Sequence, residues 1–234
     1  MFKLIEKEKL KYLVIPAFEE SGMVRHCFTT RVGGVSKGVC SSLNTSVTNE
    51  NTVENVRRNL ELVCSAVGID YTKLVFSDQT HRDNIRIVEE ADIGKGITIA
   101  SDIKDTDGLM TNIPGIPLIT FYGDCVPLFF LDTKNKAVAV SHSGWRGTVL
   151  KIGAKTIMKM TEAYGDTEIV KRSTRAFLKT LSDFGIIEPT GTNTFHQINK
   201  SKLTAEQVSD ILKLYAKVKH TKQVDIQNID KSIF

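Results

Sequence analysis

Apolar residues recur along the first 165 positions in two rhythms, short β-type runs and helical stripes. KLKYLVIPA (9–17) and MVRHCFTT (23–30) read as strands separated by a charged, glycine-containing turn. RVGGVSKGVCSSLNTS (31–46) has neither period, and long loops of this kind often carry function. Asn51 with Glu54 three residues later predicts a capping box. Val53, Val56, Leu60, Val63, Cys64 and Val67 then predict a helix closed by Gly68. KLVFSDQTH (73–81) and NIRIVEE (84–90) predict two more strands, followed by an irregular insertion over 91–106. The run IPLITFYGDCVPLFFLD (116–132), broken at Gly123–Asp124, predicts two buried strands, and KAVAVSH (136–142) another. SGWRG then leads into a helix over 148–164, with Leu150, Ala154, Ile157 and Met158 as its apolar face and Gly165 as its stop.

The texture changes after that. Amphipathic helices are predicted over 169–184 and 203–219, joined by the turn-rich connector GIIEPTGTNTFHQINKSK. The last dozen residues read as a short strand or a frayed end. The expected organisation is therefore a body over 1–168 of mixed α/β class, with mixed β-sheets flanked by helices. A mainly helical segment of unknown role, 169–234, follows it.

Charge sharpens this division. The net charge of +4 is not evenly spread: residues 171–234 carry eleven Lys/Arg against six acids, which leaves the body close to neutral. A near-neutral body does not suggest a dedicated nucleic-acid binder, although the basic tail alone could bind nucleic acid weakly. No apolar stretch reaches the ~18 residues of a membrane span. Residues 1–14 mix charge into every turn and lack the apolar core and cleavage site of a secretory signal. Four cysteines without a CxxC pair do not make a disulfide scaffold, so the expected compartment is the reducing cytoplasm.

Three residues stand at predicted strand exits, where α/β proteins assemble sites: His81, Cys125 and His142. Two imidazoles and a thiolate suit Zn²⁺ and leave a fourth position open, where a water would have its pKa lowered toward about 7. The spacing does not form a short-range ligand motif. The same residues also fit a metal-free cysteine hydrolase or deamidase, with Cys125 as nucleophile and His142 as its base. They also fit a purely structural role in a non-catalytic, degenerate chain, with a small core thiol and satisfied histidines. The glycines and Arg146 of SGWRG, before a helix, favour an anion such as phosphate, and Arg31 is a second candidate contact. Trp145 is expected to pack against the helix.

FTTRVGGVSKG…SLN (28–44), SDQTH (77–81), DGLMT (107–111), GDCVPLFFLD (123–132) and AVAVSHSGWRGT (137–148) occur in this order. Together they resemble the YfiH family, formerly described as multicopper polyphenol oxidases or laccases and now regarded as purine nucleoside-metabolising enzymes. The resemblance covers residues 1 to about 166 and implies mixed sheets flanked by helices. It implies a zinc site, with His81, Cys125 and His142 matching the ligands and carrying catalysis. It also implies phosphorolysis of adenosine, inosine, guanosine or methylthioadenosine, and deamination of adenosine. Purine nucleosides and phosphate are the expected partners. Arg31 and Arg146 are expected phosphate clamps, and Asn44, Gln79 and Asp124 polar contacts. Copper oxidation of phenols ranks low, because five histidines in the whole chain are too few for several coppers. The family's segments after the HxGWRG helix have no counterpart in residues 167–234, which leaves part of the pocket wall unaccounted for.

Overall fold

The computed structural model describes residues 2–46, 52–169, 187–190 and 194–198, the last two ranges as backbone only. An N-terminal antiparallel sheet comprises β1 (Lys3–Lys7), β2 (Leu10–Val14) and β3 (Phe28–Thr29), in that order. Its alternation is clean in β2, where Leu10, Tyr12 and Val14 are buried beneath Leu43 and Val63. Between β2 and β3 lies α1 (Pro16–Ser21), where the sequence suggested only a turn. Pro16 at the first helical position is the local signal for it.

Helix α2 (Val53–Val67) begins one residue later than expected. Thr52 is its N-cap and accepts from the Asn55 amide, and Gly68 closes it in the left-handed conformation at φ 72°. Val56, Leu60, Val63 and Cys64 form its buried face, while Val53 is exposed.

The central sheet is mixed, in the order β4 (Ile85–Ile87), β5 (Gly108–Thr111), β7 (Ala137–Ser143), β6 (Val126–Asp132). β4 runs parallel to β5, whereas β5 and β6 are both antiparallel to β7. Two predicted strands are corrected. Residues 73–81 pair only through a single bridge, Val75 to Leu118, and 116–125 forms no ladder of its own. Both run extended, with backbone bonds such as Val75 N–H to Pro117 C=O, and the apolar content of this stretch reflects burial without a ladder.

The predicted helix over 148–164 is two helices, α3 (Trp145–Val149) and α4 (Ile152–Tyr164). Lys151 adopts a left-handed backbone, φ 65°, which breaks the helix and resets its phase. The buried face of α4 is therefore Ile152, Thr156 and Met160, while Leu150 and Met158 are exposed. Ile152 and Met160 pack on Ile85, Met110, Phe130 and Ala139, each contributing about 2 kcal/mol of apolar burial.

After α4 the chain returns to the sheet. Asp132 Oδ1 accepts from the amides of Lys134 and Glu168, and Ile169 bridges antiparallel to Asp132. Apart from Ile169, the helices expected over 169–184 and 203–219 lie outside the described residues, as does the terminal dozen. The connector expected to be turn-rich contains an antiparallel pair, β8 (Ile187–Thr190) and β9 (Thr194–Ile198). All four cysteines are free thiols. No helix among the described residues is long and apolar enough to cross a membrane.

Candidate metal centre

His142 sits near the C-terminal end of β7, which exits the sheet into the turn before α3, and its side chain is buried. Cys125 immediately precedes β6, beside the end of β7, because Val126 pairs with Ser143. His81 lies on a loop with φ 64° and is exposed. One donor atom from each of the three lies within 4.8 Å of the other two. The two imidazoles meet edge to face, with centroids 4.7 Å apart.

One carboxylate organises both histidines. Asp107, fully buried at the head of β5, accepts from His142 Nδ1 at 2.7 Å and from the His81 amide at 3.0 Å, both on Oδ1. Its Oδ2 accepts from the amides of Thr80 and Arg82 at 3.1 and 2.8 Å. The His142 amide returns to the Asp107 carbonyl at 2.7 Å. Burial alone would raise the Asp107 carboxyl. The His142 ring and the three loop amides overcome that and hold it below the ordinary carboxylate value. With Nδ1 donating to Asp107, His142 presents the Nε2 lone pair to the cluster.

The donor set suits a divalent cation. Two imidazoles and a thiol in contact range, with a carboxylate behind one imidazole, fit zinc. The backbone also leaves space for the cluster. A Cβ added to Gly144 would lie 2.9 Å from His81 Cδ2 and 3.1 Å from Cys125 Sγ. Burial pushes the Cys125 thiol up to about 11, and the Asp124 carboxylate, which accepts from Sγ at 3.7 Å, adds to the rise. Without a cation this thiol is protonated at neutral pH and a poor nucleophile.

Beside the cluster is a cavity of about 720 Å³, within the range of small-ligand sites. Tyr122 lines it while its ring lies 5.6 Å from that of His142, centroid to centroid. Arg31 and Asn44 also line this cavity; Gln79, Asp124 and Arg146 do not. Arg31 Nη2 donates to the carbonyls of Val39 and Ser41, which folds the 31–46 loop around it. Asn44 Oδ1 accepts from the Ser46 amide. Gln79 is committed at both ends: Nε2 donates to the Phe121 carbonyl at 2.9 Å and Oε1 accepts from the Phe121 amide at 2.7 Å. It acts as a pin between loops. Arg146 lies over the Trp145 ring at 5.2 Å, and Trp145 is 55% exposed instead of packed against the helix.

Asp107 is the residue that sequence reasoning missed. It opens the DGLMT run already singled out, and an acid at the head of a buried strand was the available signal.

A family model described as "Multi-copper polyphenol oxidoreductase laccase" matches residues 25–173. The purine nucleoside phosphorylase YlmD of Bacillus subtilis (strain 168) is 39% identical over 139 residues, which are 59% of this chain and 50% of that protein. The crystal structure of YlmD from Geobacillus stearothermophilus superposes with a TM-score of 0.62 at 26% identity, over 70% of this chain and 60% of that one. The crystal structure of the Bacillus licheniformis hypothetical protein YfiH gives 0.66 at 25% identity, over 93% and 84%. The chain spans half to three fifths of the length of most of the curated relatives it matches.

Proposed function

The chain belongs to the multi-copper polyphenol oxidoreductase laccase family, and from that premise we propose that His81, Cys125 and His142 hold zinc in a purine nucleoside enzyme. The reaction is phosphorolysis of a purine nucleoside to the free base and ribose 1-phosphate, with deamination of adenosine to inosine as a second activity. One observation carries the reading: the three donor atoms lie within 4.8 Å of one another. The curated relatives named purine nucleoside phosphorylase support a purine nucleoside as the substrate. Zinc is the ion we assign because two imidazoles and a thiol, with one position left open, match its usual donor set.

When bound, the cation supplies Lewis acidity and lowers the pKa of a coordinated water toward about 7. The chain's own residues do the rest. Asp107 holds the Nδ1 proton of His142, so Nε2 faces the cluster as a lone pair. Asp124 Oδ1 already accepts from the Cys125 thiol and is placed to take its proton when the thiolate forms. The nucleoside is taken up beside the cluster, partly in the cavity walled by Tyr122, Asn44 and Arg31; Arg31 on that wall and Arg146 outside it are the proposed phosphate contacts. In phosphorolysis a phosphate oxygen bonds to C1′ as the bond from C1′ to the purine nitrogen breaks, and the base leaves with a proton. In deamination water adds at the purine carbon bearing the amino group and ammonia departs. A metal-free cysteine nucleophile is disfavoured by the thiol's rise to about 11.

The test is product analysis with adenosine, with and without phosphate, on full-length protein of known zinc content. Phosphate-dependent adenine supports phosphorolysis, and phosphate-independent inosine supports deamination. Neither product from zinc-replete protein overturns the proposal.

A further inference from the structure

Trp145 is the chain's sole tryptophan, and it is left 55% exposed at the rim of the candidate metal centre. An exposed indole on a rigid element offers an open aromatic face on which a planar ligand can stack. The element is rigid here. Thr148 Oγ1 is hydrogen-bonded to Ser143 Oγ and donates to the Gly144 carbonyl, and Gly147 and Thr148 are buried, which turns Trp145 and Arg146 outward. Position 145 is also close to the chemistry. Its neighbour Gly144 faces both His81 and Cys125, so the Trp145 Cα lies within about 8.5 Å of the Cys125 sulfur. The Arg146 guanidinium lies over the indole at 5.2 Å, which restrains the ring before any ligand arrives.

We infer that Trp145 is a stacking platform for the planar base of the substrate, presenting an aromatic heterocycle to the metal centre. The inference rests on the nucleoside reading above and adds to it the residue that selects an aromatic base over the sugar alone. A π-face accepts any purine, so this contact favours breadth among purines over discrimination between them. Loss of one base–aromatic stack weakens binding by about tenfold to a hundredfold.

Because no other tryptophan is present, intrinsic emission reports on this position alone. The full-length zinc-replete protein is titrated with adenosine and with ribose 1-phosphate, following Trp emission. Equilibrium dialysis of labelled adenosine runs in parallel on wild type, Trp145→Phe and Trp145→Ala. Adenosine is expected to quench emission saturably, and ribose 1-phosphate to leave it unchanged. Trp145→Phe should bind adenosine within a few-fold of wild type, and Trp145→Ala at least about tenfold more weakly with zinc content preserved. Adenosine bound equally well by Trp145→Ala overturns the inference and leaves the nucleoside reading standing. Adenosine that fails to bind wild type overturns both.

Discussion

Gly144 packs closely beside Cys125: a Cβ built on it would crowd the sulfur at 3.1 Å. Its backbone, φ −69° and ψ 176°, is one that alanine adopts without strain, so only the added methyl matters. Gly144→Ala should therefore keep the fold, with an unchanged far-UV CD spectrum. It should lose zinc affinity by about tenfold or more, since Cys125 and His81 must move apart to admit the methyl. Competition with a chromophoric chelator measures this, and wild-type affinity in the alanine variant would count against the proposed centre.

Asp107 supports the same centre from behind. Asp107→Asn presents an NH₂ group to donors that need an acceptor, and zinc affinity should fall about 10- to 100-fold. Asp107→Ala also strips the amides of Thr80, His81 and Arg82 of their partner, at about 1 kcal/mol for each of these part-buried bonds. A drop in Tm of about 5–10 °C is expected by calorimetry, larger than that of the asparagine variant.

Asp92 sets part of the acid stability. Its buried carboxylate meets Arg86 Nη2 at 2.9 Å, Lys95 Nζ at 2.8 Å and the Glu89 amide at 3.0 Å. Burial would raise it, but these partners bring it down to about 2. A carboxyl lowered in the folded state stabilises above its unfolded value of about 3.9 and loses that contribution as pH falls toward 2. Asp92→Asn should cost about 2 kcal/mol in urea unfolding at pH 7, and the difference from wild type should shrink between pH 4 and 2.

His26 acts at milder pH. The Ile15 amide donates to its Nε2 at 2.6 Å, which requires that nitrogen to be unprotonated. Burial lowers its pKa against the opposing pull of Glu19 and the Val24 backbone. A base lowered on folding stabilises above its unfolded value of about 6.5, and the contribution is lost as pH falls through the lower folded value. His26→Gln should flatten the decline of Tm below pH 6.5. An unaltered pH profile would show that the Ile15–His26 bond contributes nothing.

Much of the fold was legible where local pattern and burial agree. The face of α2 could be read from Val56 to Cys64, and β7 from its small apolar run. Pattern failed where backbone conformation intervened. Nothing in the sequence signals the left-handed Lys151 that splits the predicted helix, so Leu150 and Met158 were expected inside. The 116–125 stretch is apolar because it is enclosed, and enclosure leaves the same composition as a strand. In the site, the three donors were visible as strand-end residues. Asp107 was not, because a carboxylate and the imidazole it orients, 35 positions apart, share no local period. Arg31 and Asn44 share a cavity wall, whereas Gln79 and Arg146 engage Phe121 and Trp145 in ways that only tertiary contact reveals.

The shared oxygen of Asp107 has a consequence for how this centre can change over time. Neither imidazole can be retuned alone, since a shift that suits His142 also displaces the amide at His81. Substitutions around the two should show strong epistasis, neutral in pairs and damaging singly. A protein engineer seeking a different ion here would do better to begin at Cys125, which stands outside that tether.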